Sequence, residues 1–113
     1  MLARLMGLKT VSPADLRQLI ERQEVTVIDA NAAQKWQKAH VPGAQNLDPQ
    51  GYNENDLPSD KNAGLVFYCS NLMCRKAPNA ARRAKKMGYN NVRVMSAGIN
   101  GWVGAGLRTE PGS

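Results

Sequence analysis

Leu65-Val66-Phe67-Tyr68 is a run of four residues with no polar alternation. A strand with one wet face alternates polar and apolar residues, so a short unbroken run reads as a strand covered on both faces. Strands of that kind occupy the middle of parallel sheets, and parallel neighbours must be joined by crossovers, usually helices. The flanking segments have the required pattern. Ser12-Pro13-Ala14-Asp15 reads as a helix start, with Ser12 as N-cap, Pro13 at the first helical position and Asp15 in the first turn. Leu16, Leu19 and Ile20 supply its apolar face, and the helix is expected to run to about Gln23. Val25-Thr26-Val27-Ile28-Asp29 follows as a β-branched strand that stops in a carboxylate.

Further along, Ala32 to Lys38 reads as a short helix carrying Trp36, and Val41-Pro42-Gly43 as a turn. Ala44 to Leu47 reads as a brief strand, and Asp48 to Gly64 as a loop with about one helical turn. Lys76 to Met87 is the clearest helix: Pro78 is confined to its first turn, Ala80, Ala81, Ala84 and Met87 form its apolar side, and Gly88 stops it. Val92 to Met95 reads as a strand, and Ile99 to Val103 as a last short helix holding Trp102. The alternation predicts an α/β fold with a mostly parallel central sheet flanked by helices, where ligands bind beyond the carboxyl ends of the strands. At 113 residues the chain is expected to form one domain, with residues 1–8 as an N-terminal extension and Arg108 to Ser113 as a loose tail.

Composition narrows the function. Hydrophobic residues make up 42% and charged residues 21%, as in a globular domain. No segment approaches the roughly 18 apolar residues of a membrane span, and Met1 to Leu8 is too short for a signal peptide, so the cytoplasm is the default location. Two cysteines five positions apart are too few and too close for a secreted disulfide scaffold, and read as a reactive or redox pair. The formal charge of +6 is concentrated in Arg75, Lys76, Arg82, Arg83, Lys85 and Lys86, a stretch without Asp or Glu. Such a helix attracts a small anion or an acidic partner, or is a solvated face. Nucleic acid is a poor match, because aromatics are 5% and no recognition motif is present.

The chemistry concentrates where the apolar run ends. Cys69 closes the strand, Ser70-Asn71-Leu72-Met73-Cys74-Arg75 form a loop, and the basic helix follows. A strand end, a short loop and a helix N-terminus aim several backbone N–H groups at one point, which favours thiolate over thiol. Cys69 is therefore the candidate nucleophile, against the alternative of a buried packing thiol. Cys74 is either a packing residue at the helix start or a resolving thiol that closes a disulfide with Cys69. Such a bridge needs Cα atoms about 4.4 to 6.8 Å apart. Ser70, Asn71, Leu72 and Met73 are candidate substrate contacts in the loop, and Arg75 either binds the anion through its planar fork or faces solvent. Asp29, at a neighbouring strand end, reads as a structural hydrogen-bond acceptor, and His40 as a turn or core residue. Trp36 and Trp102 read as core or rim. Met73 beside the two cysteines also leaves open a soft Cu(I)-binding module.

Three stretches, in order, carry a resemblance. Val27-Ile28-Asp29, then His40-Val41-Pro42-Gly43-Ala44 with Asn46, then Ala97-Gly98-Ile99-Asn100-Gly101-Trp102, taken with Cys69 at its strand end, resemble the rhodanese-like domains over nearly the whole chain. The resemblance implies a small three-layer α/β fold, no cofactor and no resident metal. It also implies a loop cysteine that takes sulfane sulfur from a donor such as thiosulfate and passes it, as a persulfide, to a thiol acceptor. The family's active loops commonly have a glycine three residues after the cysteine and an arginine two residues later; here Leu72 and Cys74 stand there, and the arginine comes at Arg75. That longer spacing is similar to rhodanese-fold phosphatases and arsenate reductases, so oxyanion chemistry stays open. A carrier that accepts persulfide from a sulfur-relay protein through the basic helix stays open as well. Where relatives often carry an Arg and Glu ion pair, this chain has Asn31 and Lys35; their joint replacement suggests a structural pair. Ala39 and Ala97 stand in place of common glycines, which a fold absorbs where φ is ordinary.

Overall fold

The structure, a computed structural model, describes residues 7–112. The elements in chain order are β1 (Lys9–Thr10), α1 (Pro13–Glu21), β2 (Val25–Asp29), α2 (Ala33–Lys38), β3 (Gln45–Asn46), a 3₁₀ turn (Glu54–Asp56), β4 (Gly64–Tyr68), α3 (Lys76–Lys86), β5 (Asn91–Val94) and α4 (Gly98–Gly104). They form one five-stranded sheet in the order β1-β5-β4-β2-β3. Every adjacent pair is parallel.

The apolar run of β4 lies at the centre of this sheet and alternates between two cores. Leu65, Phe67 and Cys69 point to one face with Ile28, Val92 and Val94, where Ala77, Ala80, Ala81 and Ala84 of α3 pack on them. Val66 and Tyr68 point to the other face with Val27, where Leu16 of α1 and Ile99 and Trp102 of α4 close the layer. Residues 65–68 are fully buried because helices cover both sides. The α3 face is built of alanines, which let the helix axis approach the sheet closely.

Three expectations need correction. Leu8, placed in the N-terminal extension, is buried in the core, and β1 pairs with β5; Met1 to Met6 lie outside the described residues. The segment from Arg108, expected to be a loose tail, is docked: the Trp102 indole donates to the Arg108 carbonyl. Glu110 exchanges two backbone hydrogen bonds with His40 at 2.9 Å, and the Gly112 N–H donates to the Gln37 carbonyl. The pairings of Glu110 and Gly112 are with residues some 70 positions away, which no local pattern announces; Ser113 lies outside the described residues. The first helix also stops earlier, at Glu21, because Gln23 turns left-handed at φ 57°. Its N–H and that of Glu24 bond back to Ile20 and Leu19, a helix terminator in a position that favours glycine. Gln23→Gly is expected to stabilise the fold by about 0.5–1 kcal/mol, the left-handed strain removed less the extra chain entropy, read from urea unfolding. No change or a loss would show that Gln23 carries no strain.

Candidate active site

β4 delivers Cys69 to the carboxyl edge of the sheet, and the chain turns immediately into α3. The N-cap position of α3, Arg75, makes no side-chain capping bond. A first-turn N–H is bonded instead by sulfur: the Ala77 N–H donates to Cys69 Sγ at 3.4 Å. The nucleophile candidate thus sits at the positive end of an eleven-residue helix, with a donor aimed at it. Cys69 and Cys74 are joined by a disulfide, with Cα atoms 6.4 Å apart. The structure therefore holds the oxidised form of the pair.

The loop is held from three directions. Internally, the Cys74 N–H donates to the Asn71 carbonyl and the Met73 N–H to Asn71 Oδ1. From one side, the first N–H groups of α4 bond to it, Ile99 to the Cys69 carbonyl at 2.9 Å and Asn100 to the Ser70 carbonyl at 3.0 Å. That approach requires Gly98, whose φ is +66° and where a Cβ would lie 2.5 Å from the Ser70 carbonyl carbon and oxygen. From the other side, Ser70 Oγ donates to Asn31 Oδ1 at 2.8 Å and accepts from Lys35 Nζ at 2.7 Å. Asn31 and Lys35, whose joint appearance suggested a purely structural exchange, meet at the loop serine. Ala39 and Ala97 have ordinary backbone angles, with φ of −166° and −63°, so alanine fits there.

Beneath the loop lies a buried polar chain. Tyr68 donates its hydroxyl to Asp29 Oδ2 at 2.6 Å and accepts from the Val41 N–H at 3.0 Å, while Asp29 Oδ1 takes the Asn31 N–H at 2.7 Å. Asn46 Nδ2 donates to the Asp29 and Asn31 carbonyls. Burial pushes the Asp29 carboxyl above its usual range despite these donors, and burial together with the Asp29 carboxylate pushes the Tyr68 phenol well above its own. The buried carboxylate is satisfied by the fold and positions Asn31. A raised phenol makes alkaline stability predictable. The unfolded chain ionises Tyr68 from pH 10.0 upward while the folded chain does not, so stability is full below that value and falls above it. Tyr68→Phe is expected to flatten this slope and to cost about 1–3 kcal/mol at neutral pH by removing a donor from Asp29. Urea unfolding on both sides of pH 10.0 measures both; an unchanged slope would refute the assignment.

The remaining expected site residues divide. Arg75 is exposed, and among the described residues its side chain makes no capping hydrogen bond. His40 is stacked on Trp36 with centroids 4.3 Å apart, its Nδ1 donating to the Trp36 carbonyl and its Nε2 3.4 Å from Glu110, so it clasps the C-terminal segment. Leu72 and Met73 stand in solvent, 52% and 79% exposed. Of the basic helix residues, Arg83 is used structurally, donating to the Tyr52 and Gln50 carbonyls, and the others face solvent or are exposed at its start. A cleft of about 10 Å³ is lined by Cys69, Cys74, Ala77, Met95 and Ser96. Ser96 Oγ is buried there without a hydrogen-bond partner among the described residues. Sequence reasoning missed Ser96, since a serine one residue past a strand carries no signal until the fold places it beside the sulfurs. Among the described residues no cluster of three or more His, Cys, Asp or Glu could hold a metal ion, and no helix is long and apolar enough to cross a membrane.

Comparison with known proteins bears on this geometry. The family model described as the rhodanese-like domain matches residues 12–105. The HTH-type transcriptional regulator Rv0324 of Mycobacterium tuberculosis is 30% identical over 91% of this chain; the chain spans 45% of that protein's length. The thiosulfate sulfurtransferase GlpE of Pseudoalteromonas translucida is 22% identical, covering 88% of this chain and 93% of its own. Among solved structures, the BH2092 protein of Bacillus halodurans superposes with a TM-score of 0.83 at 24% identity, over 91% of this chain and 77% of that one.

Proposed function

Because the chain belongs to the rhodanese-like domain family, we propose that it is a sulfurtransferase working through a Cys69 persulfide. The Cys69 thiolate attacks the sulfane sulfur of thiosulfate or of a persulfide donor, sulfite or the donor thiolate leaves, and a thiol acceptor takes the sulfur. The observation that carries this reading is the seat of Cys69 Sγ on the Ala77 N–H at the start of α3, where negative charge on sulfur is stabilised before and during the attack. The Ser96 hydroxyl, unpartnered beside the sulfurs, supplies a further donor for the bound anion, and the exposed Arg75 and Lys76 raise its local concentration. The cytoplasm, where thiol acceptors are reduced, suits such chemistry.

In the disulfide Cys69 has no thiolate with which to attack a donor, so reduction precedes turnover. The reduced protein is expected to release sulfite from thiosulfate and to pass the sulfane sulfur on to a thiol, and Cys69→Ser to release none. Arsenate and a phosphate ester are expected to be left unchanged; turnover of either in place of thiosulfate would overturn the reading. Slow turnover with thiosulfate but fast persulfide uptake from a protein donor would make the chain a carrier in a sulfur relay.

A further inference from the structure

We propose that Cys74 resolves the Cys69 persulfide within the chain, so that the sulfur leaves as hydrosulfide and the domain reduces thiosulfate at the expense of an external dithiol. This rests on the sulfurtransferase reading and names its acceptor. The bond between the two cysteines places Cys74 Sγ within reach of Cys69 Sγ, which is the inner sulfur of a Cys69 persulfide. The loop that makes this contact is held by the α4 and Asn71 hydrogen bonds.

The steps balance. Cys69 thiolate attacks the sulfane sulfur of thiosulfate, the S–S bond of the donor breaks, and sulfite leaves with the electron pair. Cys74 thiolate then attacks Cys69 Sγ, a new Cys69–Cys74 bond forms, and the outer sulfur departs as hydrosulfide. Summed, two cysteine thiols are oxidised to one disulfide while the sulfane sulfur of thiosulfate is reduced to hydrosulfide, and the two thiol protons go to hydrosulfide and sulfite. An external dithiol reduces the disulfide and is itself oxidised to a disulfide.

Exposure sets the direction of that last step. Cys69 is 3% exposed, whereas Cys74 is half-buried and next to the open Met73 and Arg75. The incoming thiolate reaches Cys74 Sγ, and Cys69 leaves as the thiolate that accepts the Ala77 N–H, the better stabilised leaving group. Reduction thereby regenerates the nucleophile in its attacking form.

The test is a single turnover. Reduced protein, freed of reductant, is mixed with one equivalent of thiosulfate, and sulfite, hydrosulfide and intact mass are followed. The expected result is release of both products in near-equal amounts and a chain lighter by two hydrogens. Cys74→Ser is expected to release sulfite with loss of hydrosulfide and to remain one sulfur atom heavier. Wild-type protein that releases sulfite but keeps the added sulfur would overturn the role of Cys74 and leave the sulfurtransferase reading standing. Failure to release sulfite at all would sink that reading itself.

Discussion

Cys69→Ser is expected to lower thiosulfate-to-cyanide sulfur transfer by about 10³-fold or more, measured under reducing conditions so that loss of the disulfide does not enter the comparison. Serine fits the space and keeps a polar atom facing the Ala77 N–H, so the start of α3 and the loop are expected to keep their positions. What disappears is the chemistry. A hydroxyl is not appreciably ionised at neutral pH, and an oxygen cannot store sulfane sulfur as a persulfide. Cys69→Ala separates the two roles of the sulfur: it should be equally inactive and also less stable than the serine variant by about 1 kcal/mol, the usual worth of a helix cap. Activity retained in Cys69→Ser would remove this residue from the mechanism.

Gly98→Ala is expected to destabilise the domain by about 2–4 kcal/mol, through left-handed strain and overpacking together. The positive φ of +66° already disfavours a side chain, and the added Cβ would meet backbone at 2.5 Å from Ser70 and 2.7 Å from Asn71. Backbone cannot swing aside as a side-chain tip can. Relief requires α4 to back away, which breaks the Ile99 and Asn100 hydrogen bonds to the Cys69 and Ser70 carbonyls. The melting temperature is therefore expected to fall by roughly 10 °C or more. Sulfur transfer should fall as well under conditions where the variant is folded. A variant within about 0.5 kcal/mol of wild type would show that α4 does not press on the loop as described.

Much of the architecture was legible because it follows from local patterns. The apolar run of β4 announced a strand buried on both faces, Ser12 and Pro13 announced the start of α1, and the alanine periodicity announced α3. The site was partly legible for the same reason: a cysteine between a strand end and a basic helix is a local arrangement. The Ser70 link to Asn31 and Lys35, the Ser96 hydroxyl and the docking of Glu110 on His40 were not, since each joins residues about 27 to 70 positions apart. Arg75 shows the converse. A helix-start arginine after the candidate cysteine reads either as an anion clamp or as a solvent-facing residue, and local pattern alone does not choose; in the structure it is exposed at the start of α3.

By itself the sequence determined the layer order of the fold and the residue that carries the thiol, because hydrophobic period, caps and turn residues act within a few positions of one another. Tertiary structure decided what that thiol experiences. The Ala77 N–H, the reach of Cys74 and the pressure of Gly98 on the loop depend on how α3 and α4 close over the carboxyl edge of β4, and such approach distances arise from packing the two faces of the sheet.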